Sequence, residues 1–160
     1  MGKRIDYFDD PSAPPANSVK PSASAFVLRD GAVPLTCRSD NGNWSMPGGA
    51  HDPGESLSMT AVRETQEETG ITIRPIGVSG IYTDPRHVIH YTSNDEVRQE
   101  FTIVYRGEYL SGHPTPSSET TIVEWVPIDR ISTLKMDRSQ SMRIRWALDQ
   151  KDTWIDPVGS

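Results

Sequence analysis

The chain has 160 residues, the size of one ordinary domain, with 34% apolar residues and a mean hydropathy of −0.55. Acidic residues outnumber basic ones, 22 against 16, and the net charge of −6 argues against a protein held on a nucleic-acid polymer by positive charge. A small anionic substrate fits only if divalent cations reverse the sign of the field locally. No run approaches the roughly 18 apolar residues of a membrane span. The start, Met1-Gly2-Lys3-Arg4-Ile5-Asp6, lacks the apolar stretch of a secretory signal, so a cytoplasmic location without a membrane partner is expected. Cys37 is the sole cysteine, which excludes an intramolecular disulfide and zinc clusters built on several cysteines.

Residues 1–21 read as an arm, because Pro11, Pro14, Pro15 and Pro21 remove amide donors and forbid helix. Tyr7 and Phe8 within it are costly if exposed, so the arm is expected to pack on the domain or on a second copy, making a homodimer a candidate assembly. Residues 22–150 form the domain and 151–160 a tail. Ala23 to Leu28 and Val33 to Cys37 predict two strands around a tight Asp30-Gly31 turn, with Pro34 placing the second at an edge or bulge. Trp44-Ser45-Met46-Pro47-Gly48-Gly49 is a short hydrophobic segment entering a glycine turn. Residues 56–69 lack glycine and proline and precede Gly70, which predicts a helix closed by a left-handed glycine. Ile71 to Tyr82 is strand material interrupted by Pro75, and Thr83 to Glu96 reads as a long loop. Val97 to Tyr105 alternates, with Phe101, Ile103 and Tyr105 on one face and Glu100, Thr102 and Val104 on the other. Ser111 to Ser118 is a second loop and Thr120 to Val126 another strand. Asp137 is an N-cap with Gln140 three residues later, and Ile144, Ala147 and Leu148 form the stripe of a last helix. This order predicts an α+β protein with helices packed on a mixed sheet.

The chemistry concentrates between Gly49 and Ile71. On a helix Glu64, Glu67 and Glu68 stand at i, i+3 and i+4, which puts three carboxylates on one face, with Met59 and Val62 turned toward a core. Arg63 is the only cation nearby. Taken alone, such a cluster reads as a solvated acidic face; carboxylates without cation partners also suit a hard divalent metal that prefers oxygen ligands.

The residues Gly49, Glu55, Arg63, Glu64, Glu67, Glu68 and Gly70 match every fixed position of the pattern G-x5-E-x7-R-E-U-x-E-E-x-G-U, where U is a bulky aliphatic. Seven such matches arise by chance about once in a million chains of this length. The chain therefore resembles a Nudix hydrolase, of the MutT-like or ADP-ribose pyrophosphatase-like kind. Thr65 departs from the aliphatic position and brings a hydroxyl that needs a partner. Trp44 to Gly49 and Glu124-Trp125-Val126-Pro127 also look like family segments, so the resemblance spans about residues 22–148.

The resemblance implies a Nudix fold, an α/β/α sandwich around a mixed sheet. It also implies hydrolysis of a nucleoside diphosphate linked to some group X, with magnesium or manganese as cofactor. X is then a sugar, as in ADP-ribose, or the rest of a nucleoside triphosphate. By resemblance Glu64, Glu67, Glu68 and the Gly49 carbonyl are metal ligands, Glu55 orients the loop and helix, and Arg63 fixes a glutamate. The base is expected on a loop before the strand bearing Trp125: Glu119 comes first, Glu100 second, and a helix glutamate such as Glu67 is the remaining choice. For substrate, Arg38 resembles a basic contact position, Trp44 or Tyr82 offers a stacking ring, and Arg86, His87 and His90 offer phosphate contacts. His87 and His90 also have the spacing of a zinc pair, but no third ligand is placed to join them. The alternative is a non-catalytic Nudix domain that binds a nucleotide and regulates, although such domains usually lose the glutamates that this chain keeps.

Overall fold

The computed structural model describes residues 2–159. The chain runs β1 (Arg4–Phe8), β2 (Ser18–Val19), β3 (Ser22–Val27), β4 (Ala32–Arg38), β5 (Trp44–Ser45), β6 (Gly48–Ala50), α1 (Leu57–Thr69), β7 (Ile71–Tyr82), β8 (His87–Tyr91), β9 (Glu96–Gln99), β10 (Thr102–Gly112), β11 (Thr120–Pro127), α2 (Ile128–Ile131), α3 (Arg138–Asp149) and β12 (Trp154–Ile155). A five-stranded mixed sheet in the order β12-β7-β10-β3-β6 is central, flanked by a three-stranded sheet β11-β4-β5. Strand β3 is parallel to β10 and antiparallel to β6, and nearly all of it is buried.

Alternation along β3 decides which helix covers which face. Ala25 and Val27 join Ile71, Ile73 and Val62 in a cluster under α1, whereas Phe26 joins Leu35, Val104, Ile144 and Ala147 under α3. The result is helix, sheet, helix, in agreement with the expected α+β sandwich. The Asp30-Gly31 turn forms as expected: Arg29 and Ala32 exchange both backbone hydrogen bonds, and φ is positive at Asp30 (51°) and Gly31 (74°). Strand β5 covers only Thr36 and Cys37 on one side of β4, so Pro34 sits at a local edge. Both helix ends expected from sequence are present. Ser56 caps α1 by accepting from the Met59 amide, and Gly70 closes it at φ 78°. Asp137 caps α3 by accepting from the Gln140 amide, while the Gln140 side chain accepts from the Met46 amide and ties α3 to the β5 segment.

Three expectations change. Thr83 to Glu96 is no loop, since His87–Tyr91 and Glu96–Gln99 form an antiparallel hairpin. Its outer edge takes β1 of the arm, with Arg4 opposite Tyr91 and Phe8 opposite His87, and β2 joins the other edge in a four-stranded sheet. Prolines 11 to 15 thus lie between two short strands rather than preventing them. The Phe8 ring sits 4.3 Å from His87, with the Arg138 guanidinium 5.4 Å above it, so the aromatic of the arm is covered within its own chain. Second, the Val97 to Tyr105 strand breaks at Glu100 and Phe101, and the face with Glu100, Thr102 and Val104 is the buried one. It is buried because α3 and its cluster lie on that side. Third, Met59 is 55% exposed, and α1 buries Thr60, Ala61, Thr65 and Thr69 instead.

A helix that buries threonines must satisfy their hydroxyls. Thr60 donates to Glu55 Oε1 at 2.8 Å and Thr69 to the Thr65 carbonyl at 2.6 Å. The Thr65 hydroxyl is fully buried and has no partner. Thr65→Val keeps the shape and removes the orphaned group, so it should stabilise the fold by about 1 kcal/mol, raising Tm by roughly 2–4 °C. A fall in Tm by calorimetry contradicts this reading of the helix interior.

Candidate active site

The N-terminal half of α1 is locked by one guanidinium. Arg63 donates through Nε to Glu55 Oε2 at 3.0 Å and through Nη2 to Glu55 Oε1 at 2.8 Å, a bidentate fork. The same Nη2 reaches the Ala50 carbonyl at 3.1 Å, and Nη1 reaches Glu64 Oε1 at 2.9 Å. Glu55 also accepts from the Asp52 amide at 3.1 Å. The fork and the Thr60 hydroxyl hold the Glu55 carboxyl down to about 2, and the carboxylates around Arg63 raise the guanidinium still further above its ordinary value. Glu55 and Arg63 are therefore a buckle that fixes loop 51–56 against the helix.

The other carboxylates face β6. A Cβ on Gly49 would overlap the Glu64 carboxyl group, so only glycine lets this strand lie against it. The Gly48 amide donates weakly to Glu68 Oε1 at 3.4 Å. Burial raises the Glu64 carboxyl above the ordinary range despite Arg63, and burial together with the Glu64 charge raises Glu68 strongly. Glu67 lies outward, its side chain 58% exposed. Two neighbouring carboxylates that resist ionisation together, beside an exposed third and a backbone carbonyl, make a set of hard oxygen donors that fits a divalent cation. Among the described residues no three such side chains already converge as a cage, because Arg63 holds Glu64.

These glutamates line a cleft of about 830 Å³ with Gly49, Arg38, Trp44 and Glu119. Arg38 is fixed by Asp40 through two hydrogen bonds, at 3.0 and 2.9 Å. Trp44 is buried in the α3-side cluster and also lines the cleft. Glu119 is exposed on the loop before β11, and its charge helps to raise Glu68. Two expected substrate contacts fall elsewhere. Tyr82 is 2% exposed and outside the cleft wall, with its ring stacked 6.1 Å from Trp154, because β7 turns it inward. Arg86 stands on an exposed turn outside the cleft, paired with Asp84 at 2.9 Å. His87 and His90 are also outside the wall: His87 Nε2 lies 3.0 Å from Asp6 and His90 Nε2 lies 3.1 Å from Asp95, so they are no zinc pair.

Glu100 lines the cleft but is already engaged. It accepts from the Phe101 amide at 2.9 Å, from Thr102 at 3.0 Å and from Arg143 Nη2 at 3.1 Å. Burial alone would raise its carboxyl, but the Arg143 and His87 charges hold it below the ordinary range, which makes it a poor proton acceptor. Sequence reading missed Arg143, a buried arginine in the cleft wall with its guanidinium 4.7 Å from the Tyr82 ring. The available signal was its place, with Gln140, along the apolar stripe of α3.

Raised carboxyls give a pH signature without metal. Folded Glu64 and Glu68 bind more protons than the unfolded chain above the ordinary carboxylate range, near 4.3, so stability must fall as pH rises there. Tm in chelator should decline from about pH 5 upward, and Glu68→Gln should flatten that decline. An unchanged slope in the variant contradicts the buried-pair reading.

A model of the NUDIX domain matches residues 19–146. The chain is 31% identical over 138 residues to a MutT-like protein of Streptomyces ambofaciens, covering 86% of this chain and 81% of that protein. It is 33% identical over 110 residues to a putative 8-oxo-dGTP diphosphatase of Bacillus subtilis, covering 68% and 67% of the two. The fold resembles the crystal structure of an ADP-ribose pyrophosphatase from Streptococcus suis, with a TM-score of 0.67 and 21% identity over 87% of this chain and all of that one. Nudix hydrolases generally use divalent metals. The domain match, these relatives and the cleft built on Gly49, Glu64 and Glu68 have one conclusion: the chain belongs to the Nudix family and is a Nudix hydrolase.

Proposed function

We propose that the protein hydrolyses the diphosphate linkage of a nucleoside diphosphate bonded to a further group, with magnesium or manganese bound by Glu64, Glu67, Glu68 and the Gly49 carbonyl. The observation that carries this reading is the half-buried Glu64–Glu68 pair at the cleft, of which only Glu64 has a charged partner, Arg63. Two adjacent carboxylates withdrawn partly from water repel each other, and a cation between them relieves that repulsion. The bound cation would neutralise the anionic bridge and acidify a water. Glu55 and Arg63 fix the loop on the helix, so the backbone that carries the glutamates stays in place while the Glu64 side chain turns from Arg63 toward the cation. Glu119, exposed and free of a charged partner among the described residues, takes the proton from the attacking water. The names of the relatives support a nucleoside triphosphate, including an oxidised one, or a nucleotide sugar such as ADP-ribose as the substrate.

Glu68→Gln removes one ligand charge and should lower turnover by at least about a hundredfold with the fold intact. Near wild-type rates at saturating magnesium would sink the ligand assignment. Glu119→Gln should lower kcat by on the order of 10²–10⁴ while KM moves little, the pattern of a group used in the transition state. An effect confined to KM would instead make Glu119 a binding residue. Millimolar magnesium or manganese should also raise Tm, since cation binding to the folded state alone is stabilising; no shift by calorimetry counts against the site.

A further inference from the structure

The cleft has a wall that the reaction just described does not use. One face of the four-stranded sheet, carrying Arg4 and Asp6 of β1, Ile89 and Tyr91 of β8 and Arg98 of β9, lines the cleft that also holds the glutamates of α1. Strand β1 lies outside the residues 19–146 that match the domain model.

The two arginines are built to receive an anion. Arg4 gives Nε and Nη2 to Asp6, at 2.8 and 3.3 Å, and Arg98 gives Nε and Nη2 to Glu96, at 2.6 and 3.0 Å. Each carboxylate occupies the side edge of a guanidinium and fixes its rotamer, leaving donors at the other edge, where Arg98 Nη1 makes one long contact, 3.4 Å, to the Tyr91 hydroxyl. Between them stands Tyr91, the cross-strand partner of Arg4, with the Arg98 guanidinium 4.5 Å from its ring. Lys20 lines the same cleft and adds a further positive charge.

The strand is anchored well enough to hold this geometry. Asp6 lies 3.0 Å from His87, His87 lies 3.6 Å from Glu100, and Glu100 accepts from Arg143 at 3.1 Å. This row of side chains joins β1 to α3 behind the cleft wall. The cleft thus holds Glu64, Glu67, Glu68 and Glu119 together with Arg4, Arg98 and Arg143, each arginine backed by a carboxylate, and Lys20.

We propose that the N-terminal strand completes the substrate site, and that Arg4 and Arg98, across Tyr91, grip a phosphate group of the substrate beyond the linkage held by the glutamates. The preferred substrates are then nucleoside polyphosphates rather than nucleotides linked to a neutral sugar. The inference rests on the hydrolytic reading for the word substrate, but not for the binding itself.

The test is calorimetric titration of a non-hydrolysable nucleoside triphosphate analogue, and of a nucleoside diphosphate linked to a neutral sugar, in magnesium. Arg4→Gln and Arg98→Gln should each weaken the triphosphate analogue by on the order of tenfold, the loss of one charge-assisted contact, and leave the nucleotide sugar within about twofold. Ile5→Thr, on the opposite face of β1, should change neither, which separates a contact from general loosening of the strand. Wild-type affinity in both arginine variants overturns the proposal. So does an equal loss for both ligands, which would make the wall a reader of the nucleoside, and so does a matching loss in Ile5→Thr. If no nucleotide is turned over yet the arginine variants still lose the triphosphate analogue, the wall stands and the hydrolytic reading falls.

Discussion

Arg63 is the interaction on which the site depends. Its five donors reach Glu55 twice, Glu64 once and the Ala50 carbonyl, so one side chain joins loop, strand β6 and helix α1. A lysine in its place offers a single point of charge and cannot span these partners at once. The fork also explains why so many carboxylates tolerate each other on one turn of helix. Glu55 is held ionised by direct bonds, which leaves Glu64 and Glu68 as the pair with charge to spare. That surplus is what a divalent cation would take up.

Close approach is the second constraint. α1 must lie near enough to β6 for Glu64 and Glu68 to meet the backbone, and this requires small or hydrogen-bonded groups at the contact. Gly49 supplies it from the strand, because a Cβ there would overlap Glu64, while Gly48 serves the other contact of β6, where a Cβ would overlap Ser24 of β3. From the helix it comes through Thr60, Ala61, Thr65 and Thr69, all with essentially no exposure. The hydroxyl left unsatisfied at Thr65 is a cost of this packing at a position where the family pattern has an aliphatic.

The extra sheet changes the character of the cleft. With β1 and the β8–β9 hairpin, the cleft that holds the glutamates of α1 also has Arg4 and Arg98, each bonded to a carboxylate, in its wall. The arm is therefore part of the same structure as the hairpin it covers, and Asp6 and His87 are the joint between them. No helix among the described residues is long and apolar enough to cross a membrane.

The sequence by itself determined the elements whose signal is local. The Asp30-Gly31 turn, the α1 segment closed by Gly70 and the Asp137 cap each follow from backbone preferences of a few adjacent residues. The spacing of Gly49, Glu55, Arg63, Glu64, Glu67 and Glu68 was equally legible, because helical geometry alone brings most of those side chains together. What only the tertiary structure decided depends on partners far apart in the chain. His87–Tyr91 reads as loop until Arg4–Phe8, more than eighty residues earlier, supplies its missing hydrogen bonds. Glu100 reads as a candidate base until α3 brings Arg143 beside it, and Tyr82 reads as a stacking ring until β12 places Trp154 over it. Burial and charge pairing are properties of neighbours in space, and an unpaired strand or a lone acid carries no mark of the partner that the fold will bring.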